Sequence, residues 1–214
     1  MTFLGGDGGS GGGSDGQNGS TRPHFVLVPM MGQGHTIPMT DMARLLAEHG
    51  AQVSFITTPV NAARLAGFAA DVEAAGLAVR LVEIRFPAAE FGLPDGCENF
   101  DLIQSRGLLL NFLEACAALQ GPLMAHLREQ QLSPPSCIIS SQMHWWTGDI
   151  ARELNIPRLA FGGFCGFSSL VRYYNHKRQN SLAVNVAYFT CIIKYLLPSS
   201  YIHPFIFKKI ENLF

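Results

Sequence analysis

The hydrophobic pattern of the chain begins with a short apolar run, which two glycines follow. His24 to Met30 reads HFVLVPM, and Gly32 and Gly34 come next, which predicts a buried strand that leaves its sheet through a glycine turn. Apolar residues then recur at helical spacing from Pro38, which suits a first helical turn, to Gly50, a typical helix-ending residue. The pattern therefore predicts a strand, a glycine loop and a helix.

The same unit of strand and helix repeats along the chain. Such alternation predicts an α/β fold with a right-handed, Rossmann-like parallel sheet that helices cover on both faces. The loop Pro87 to Asn99 is rich in proline and glycine and is long enough to shape a binding site. The other predicted strands are Gln52–Thr57, Leu77–Phe86, Cys137–Ser140 and Arg158–Phe161, and the other predicted helices are Asn61–Ala75, Asp101–Gln120, Pro122–Gln130, Trp145–Leu154 and one that begins at Gly163.

Both ends of the chain differ from its middle. Nine of the 22 glycines fall in the first 20 residues, so residues 1–22 are predicted to be a flexible leader and residues 23–180 the folded domain. Residues 181–214 form an apolar tail of atypical composition. The tail is interpreted as a helix packed on the domain or as sequence joined by a splicing or gene-model event. A membrane span is less favoured, since the apolar stretch ends at Pro198, short of the ~20 residues that spanning requires.

Composition and charge exclude several classes of protein. With 48% hydrophobic residues among 214, the chain can form one sizeable core. A net charge of −1 provides no field that would attract nucleic acid. The five widely spaced cysteines contain no CxxC pair, which indicates reduced thiols and no metal site. The start lacks the pattern of a secretory signal, so we expect a cytoplasmic protein.

His35 is the titratable residue of the loop after the first strand, MGQGHTIP. Ligands of an open parallel sheet bind outside the carboxyl ends of its strands. A neutral imidazole in such a place can take a proton from an alcohol or phenol, because its ordinary pKa is near neutral pH. The competing interpretation is a histidine that merely caps or packs. The dinucleotide fingerprint GxGxxG fails here, since Ile37 occupies the third glycine position and Thr57 ends the second strand.

Four separated segments resemble plant UDP-dependent glycosyltransferases of small molecules. They are HFVLVPMMGQGHTIPMTDMARLL from His24, FITTPVNAAR from Phe55, FPAAEFGLPDGCEN from Phe86, and SCIISSQMHWWTGDIARELNIPRLAFGGFCGFSSL from Ser136. The resemblance implies the N-terminal, acceptor-binding half of the two-domain GT-B fold. It also implies transfer of a sugar, such as glucose, from a UDP-sugar to a hydroxyl of a plant secondary metabolite, such as a flavonoid, another phenolic or a terpenoid, with inversion and without a metal.

By this resemblance His35 is the catalytic base that deprotonates the acceptor. The family pairs that histidine with an aspartate just after the fourth strand, and this chain has Ser141 at the position. A hydroxyl carries no charge, so the imidazolium loses a partner worth about 1.5–3 kcal/mol and gains one worth about 1 kcal/mol. We therefore predict a weaker base. Asp149 is expected to be a surface charge instead of a substitute for the aspartate.

An acceptor wall is predicted from residues in or beside the strand-end loops. Core packing is an equal alternative for most of them, and it is favoured for Trp145 and Trp146, while His144 is better interpreted as a structural histidine. The candidates are Met30, Gly34, Phe91, Leu93, His144, Trp145, Phe164 and Phe167.

The sequence contains no segment like the tryptophan-led donor motif of the family, and its only tryptophans are Trp145 and Trp146. We therefore expect the UDP-sugar to be a co-substrate whose main site is absent from this chain, and no other cofactor. The expected partner is a small hydroxylated acceptor. Two functions follow: an enzyme that is weakly active or inactive alone, or a non-catalytic module that binds acceptors or regulates a full-length relative.

Overall fold

A computed structural model describes residues 22–130, 134–162 and 189–190. Nearly all of the predicted leader and tail lies outside these residues, as does the helix predicted from Gly163. The candidates Phe164 and Phe167 are outside them as well. The remaining predictions can be compared with the structure directly.

The described residues form six strands and six helices, and two short 3₁₀ turns lie in the long connection after the third strand. The strands are β1 His24–Val28, β2 Gln52–Thr57, β3 Val79–Glu83, β4 Cys137–Ser141, β5 Arg158–Gly162 and β6 Phe189–Thr190. The helices are α1 Gln33–Glu48, α2 Pro59–Arg64, α3 Ala66–Ala74, α4 Leu108–Ala117, α5 Gln120–Glu129 and α6 Thr147–Glu153, and the 3₁₀ turns are Ala89–Phe91 and Phe100–Leu102.

All strand pairs in the sheet are parallel, in the order β3-β2-β1-β4-β5-β6. The central strand β1 pairs on one side with β2, where Val26 lies opposite Ser54, and on the other with β4, where Val26 lies opposite Ile138. The strand order therefore reverses between β1 and β4. This reversal is the topological switch point at which open α/β sheets bind their ligands.

Two apolar cores, one on each face of the sheet, hold the layers together. On one face, Val26 and Val28 pack in a cluster with Phe112 of α4 and Leu123 of α5. On the other, Phe25 and Leu27 belong to a cluster that includes Met39 of α1. Alternate residues of β1 thus serve opposite cores, as the pleat of a strand requires. The predicted α/β fold with helices on both faces is confirmed.

The start of α1 differs from the prediction. The helix begins at Gln33 with Gly32 as its N-cap, so Pro38 lies inside the helix and not in its first turn. A proline there has no N–H to bond to the carbonyl of Gly34, and the ladder has a gap one turn after it begins. The predicted end is close to the observed one, because Gly50 adopts the left-handed conformation, with φ of 86°, just after the C-cap His49.

Two other predicted helices are divided differently. The helix predicted from Asn61 to Ala75 is two helices that meet at Leu65. The break predicted at Pro122 lies earlier, near Ala118, because Pro122 falls in the first turn of α5, where its missing N–H would have no intrahelical partner. By length and composition alone, the continuous stretch Leu108–Glu129 could cross a membrane, and its buried residues pack in the core against the sheet.

Candidate functional site

His35 lies in the first turn of α1, directly beyond the carboxyl end of β1. Its backbone N–H donates to the carbonyl of Gly32 at 3.0 Å, as does that of Thr36 at 2.9 Å. These two hydrogen bonds attach the turn that carries the imidazole to Gly32. The side chain is half-buried, and burial lowers the pKa of His35 below its ordinary value. The imidazole is therefore neutral at pH 7, the form that a general base requires.

Ser141 is the last residue of β4 and lies beside His35 across the switch point. Its Oγ is 3.3 Å from Nδ1 of His35 and also accepts the backbone N–H of Met143 at 3.3 Å. Ser141 is fully buried. The structure therefore brings together two residues that are 106 positions apart in the sequence. A hydroxyl stands where an acceptor-only carboxylate would hold the proton on Nδ1.

Arg158 holds the segment after β4 and was not identified in the sequence analysis. The half-buried guanidinium donates to the carbonyls of Ser141 at 3.3 Å and His144 at 3.1 Å, and to the hydroxyls of Ser140 at 2.9 Å and Thr147 at 2.7 Å. Burial lowers the pKa of Arg158. The sequence signal for this role is the position of Arg158 at the start of a buried strand, because a cation there needs hydrogen-bond acceptors nearby.

His144 is a fully buried residue and has no surface to offer an acceptor in this structure. Its Nε2 lies 3.1 Å from the carbonyl of Pro29, and its ring lies 5.2 Å from that of Trp146. Nδ1 has no hydrogen-bond partner among the described residues. Burial lowers the pKa of His144 to about 4, with smaller contributions from the positive charges of His35 and Arg158. His144 is therefore a buried structural histidine, which is the interpretation that its sequence favours.

The other acceptor-wall candidates divide into buried and accessible residues. Met30 and Leu93 are buried in the core, and Phe91 packs against the same core while partly exposed. Gly34 is exposed. Trp145 is 67% exposed and Trp146 only 1%, so the expectation of core packing is wrong for Trp145 and right for its neighbour. The candidates left with accessible surface in the described residues are Gly34, Phe91 and Trp145.

Asp149 behaves as the sequence predicted, since its carboxylate pairs with the exposed Arg152 at 2.8 Å. A small cleft at the carboxyl ends of β1 and β2 has enclosed room for about one water molecule, far less than a small-molecule acceptor needs. The cleft is lined by Pro29, Met31, Thr36, Phe55, Ile56, Thr57, Asn61 and Leu65.

The described residues contain no cluster of three His, Cys, Asp or Glu side chains that could hold a metal ion. Cys97, Cys116 and Cys137 are buried free thiols. Burial raises the pKa of Cys116 and of Cys137 to about 12. Because the thiolate is the reactive and metal-binding form, both are inert at neutral pH.

Comparisons with known proteins show a consistent likeness. No protein-family model matches the chain. It is 43% identical over 170 residues to UDP-glycosyltransferase 73D1 of Arabidopsis thaliana, a match that covers 78% of this chain and 33% of the relative. It is 47% identical over 143 residues to UDP-glycosyltransferase 73E1 of Stevia rebaudiana, covering 67% of this chain and 29% of that protein. The chain thus spans about a third of the length of the curated relatives it matches.

Solved structures give the same result. The crystal structure of Glycyrrhiza uralensis UGT73P12 complexed with glycyrrhetinic acid 3-O-monoglucuronide is 27% identical, with a TM-score of 0.63, and the match covers 77% of this chain and 34% of that one. Arabidopsis thaliana UGT89C1 complexed with quercetin is 23% identical with a TM-score of 0.58, over 66% of this chain and 35% of that one. The second likeness is one of fold alone.

Proposed function

Because the chain belongs to the family of plant UDP-glycosyltransferases, we propose that it supplies the acceptor side of a sugar transfer from a UDP-sugar to a small hydroxylated molecule. In this proposal His35 takes the proton of the acceptor hydroxyl, and the oxygen forms a bond to the anomeric carbon. The bond from that carbon to the diphosphate breaks, and UDP leaves with the electron pair. The attack is in line, so the configuration inverts.

The observation that carries the proposal is the contact between His35 and Ser141 at the switch point of the sheet. Nδ1 lies 3.3 Å from the buried hydroxyl, which engages one side of the imidazole. The side chain is only half-buried, so the ring retains access to solvent for an acceptor. A neutral imidazole with one nitrogen engaged by a buried partner is the arrangement that a general base requires.

Trp145 supports a planar or fused-ring acceptor. Its indole is 67% exposed and follows Ser141 by four positions in the segment that Arg158 holds. Exposed indole faces stack on flat apolar rings. We propose that phenolics or terpenoids bind against Trp145 with a hydroxyl turned toward His35, and that glucose is the sugar transferred.

A second candidate function is a module that binds acceptors without turning them over. One observation favours it: the base is paired with Ser141 and not with a carboxylate, so the imidazolium that forms during transfer has no charged partner there. The two candidates predict the same acceptor site and differ only in turnover.

The test measures acceptor binding and UDP release on one preparation of the 214-residue chain. Phenolic and terpenoid acceptors are titrated by tryptophan fluorescence, with Trp145→Phe as the control that removes the exposed reporter. UDP release from UDP-glucose is then followed for each acceptor that binds. Turnover that His35→Gln abolishes and His49→Gln, at the far end of the same helix, retains supports the enzyme. Binding without turnover supports the module, and no binding across the panel refutes the acceptor site.

A further inference from the structure

Two of the family-like segments, FITTPVNAAR and FPAAEFGLPDGCEN, meet inside the fold. Asn61, which is 7% exposed at the start of α2, is the meeting point. Its Nδ2 donates to the hydroxyl of Thr58 at 2.8 Å and to the carbonyl of Glu98 at 2.8 Å. One amide group therefore joins the end of β2 to the loop that follows β3.

The contact is reinforced on both sides of Asn61. Nδ2 of the buried Asn99 donates to Oδ1 of Asn61 at 2.6 Å, and the carboxylate of Glu98 accepts the backbone N–H of Val60 at 3.0 Å. The Asn61 amide thus uses both donors and its acceptor. Flipping it would turn Oδ1 toward the carbonyl of Glu98 and Nδ2 toward Nδ2 of Asn99, so the network favours a single arrangement. We call Asn61, Glu98 and Asn99 the amide clamp.

The clamp continues directly into a residue that touches the catalytic turn. Phe100 follows Asn99, and its backbone N–H donates to the carbonyl of Met31 at 3.0 Å. Its ring lies against Gly32 so closely that a Cβ on residue 32 would be 3.2 Å from Cδ2. Phe100 also packs on Phe112 in the core, with ring centroids 5.0 Å apart. The Phe100 ring is therefore fixed by its packing on Phe112 and covers Gly32.

The carbonyl of Gly32 accepts two backbone hydrogen bonds from the turn that carries His35. The turn has little stiffness of its own, because Gly32 and Gly34 lack side chains and Pro38 leaves a gap in the helix ladder. Stiffness must come from contacts outside the turn. Among the described residues, Phe100 provides one through its backbone and its ring.

We propose that Asn61 is a positioning residue, which holds Phe100 against Gly32 and thereby keeps His35 directed at Ser141. The clamp acts through three consecutive links: Asn61 bonds the carbonyl of Glu98 and the side chain of Asn99, Phe100 contacts Met31 and Gly32, and Gly32 bonds the His35 turn. The inference rests on the proposed function only where it gives His35 a role as a base. The claim that Asn61 orders the turn does not depend on that role.

The competing explanation is that Asn61 only stabilises the loop and has no effect on the turn. Asn111 provides the matched control, because its Nδ2 donates to the carbonyl of Phe91 at 2.8 Å in the same connection but outside the clamp. Asn61→Ala and Asn111→Ala therefore each remove a side-chain amide that donates to a backbone carbonyl of the connection after β3. Phe100→Leu provides a third variant, which leaves the amides intact and removes the ring from Gly32.

The experiment is native-state amide hydrogen exchange of the full chain, together with nitrogen chemical shifts of the His35 ring. Losing the clamp should speed exchange of the His35 and Thr36 amides about tenfold relative to the strands, since a lost hydrogen bond is worth about that factor. It should also shift the Nδ1 signal away from its value beside Ser141. Phe100→Leu should reproduce both changes, and Asn111→Ala neither.

Equal effects of Asn61→Ala and Asn111→Ala on the turn would overturn the proposal, and so would an unchanged turn in Asn61→Ala. If Asn61→Ala does not fold, Phe100→Leu decides the question by the same readouts, together with Asn99→Ala, which removes one bond of the clamp and the bond from the Asp101 N–H. The exchange measurement needs no acceptor and no sugar donor. A chain that binds no acceptor would refute the proposed function and leave this result standing.

Discussion

Replacing Ser141 with aspartate tests the central contact of the site. The hydroxyl of Ser141, 3.3 Å from Nδ1 of His35, can donate to that nitrogen or accept from it, so serine leaves both tautomers of the ring open. A carboxylate can only accept, so Ser141→Asp should hold the proton on Nδ1 and keep Nε2 free for the acceptor.

The magnitude follows from the change of hydrogen-bond type. A neutral bond contributes about 1 kcal/mol and a charge-assisted bond about 1.5–3 kcal/mol, so the imidazolium gains roughly 0.5–2 kcal/mol. The new carboxylate is buried, which opposes this gain. Arg158 reduces that penalty, because its guanidinium lies 3.3 Å from the carbonyl of Ser141 and its hydrogen bonds within the described residues go to neutral oxygens. The net result is a raised pKa of His35.

The assay is a pH titration of the His35 ring by nitrogen and carbon NMR, which reports both the tautomer and the pKa. Ser141→Asn is the matched control, with the size of aspartate and no charge. We expect a higher pKa of His35 in Ser141→Asp alone, because the amide oxygen of asparagine can also accept from Nδ1–H but carries no charge. If the asparagine variant raises the pKa of His35 as much as the aspartate variant does, the effect is steric and the reasoning about a charged partner fails.

Three other substitutions test the packing and the electrostatics around the site by equilibrium denaturation. Gly32→Ala should cost about 1–3 kcal/mol, because its Cβ would lie 3.2 Å from the ring of Phe100, whereas Gly34→Ala, with nothing within 4 Å of its Cβ, should be neutral or stabilising; equal losses would refute the clash. The pKa of His144 is about 4 in the folded chain against 6.5 ordinarily, so the unfolded chain binds more protons and stability should fall by about 3 kcal/mol as pH drops from 6.5 to 4. His144→Gln should reduce that slope, and an unchanged slope would remove His144 as its cause. Arg158→Lys should destabilise by about 1.5–3 kcal/mol, since an ammonium cannot reach the oxygens that the planar guanidinium bridges; a loss no larger than that of the exposed Arg152→Lys would contradict this.

The strands and the place of the site could be predicted from sequence because they depend on local patterns. The sequence predicts Gln52–Thr57 with its observed bounds, since the segment is rich in the β-branched and aromatic residues typical of strands. His35 was identifiable because a titratable side chain followed such a strand directly. The position of Ser141 came from the family resemblance, and the structure added the distance between the two side chains.

The elements that sequence missed depend on contacts between distant segments. The start of α1 could not be read from Pro38, because hydrogen bonds to Gly32 begin the helix five residues earlier and proline is tolerated inside it. Trp145 and Trp146 are adjacent and chemically identical, yet one is exposed and one buried, since a helix start turns successive side chains to different sides. The roles of Arg158 and Asn61 depend mainly on bonds to residues 11 to 38 positions away.

The two sides of the site are anchored by different means, and this determines how it should respond to acid. Arg158 holds the Ser141 side through neutral oxygens, and the amide clamp holds the His35 side largely through neutral amides and carbonyls. The histidines closest to the contact, His35 and His144, both have lowered pKa values, and His144 is the more deeply buried. His35 should therefore take up its proton at a higher pH than His144 does. The site should lose its base first, with its geometry intact, and the fold should weaken only as His144 becomes charged.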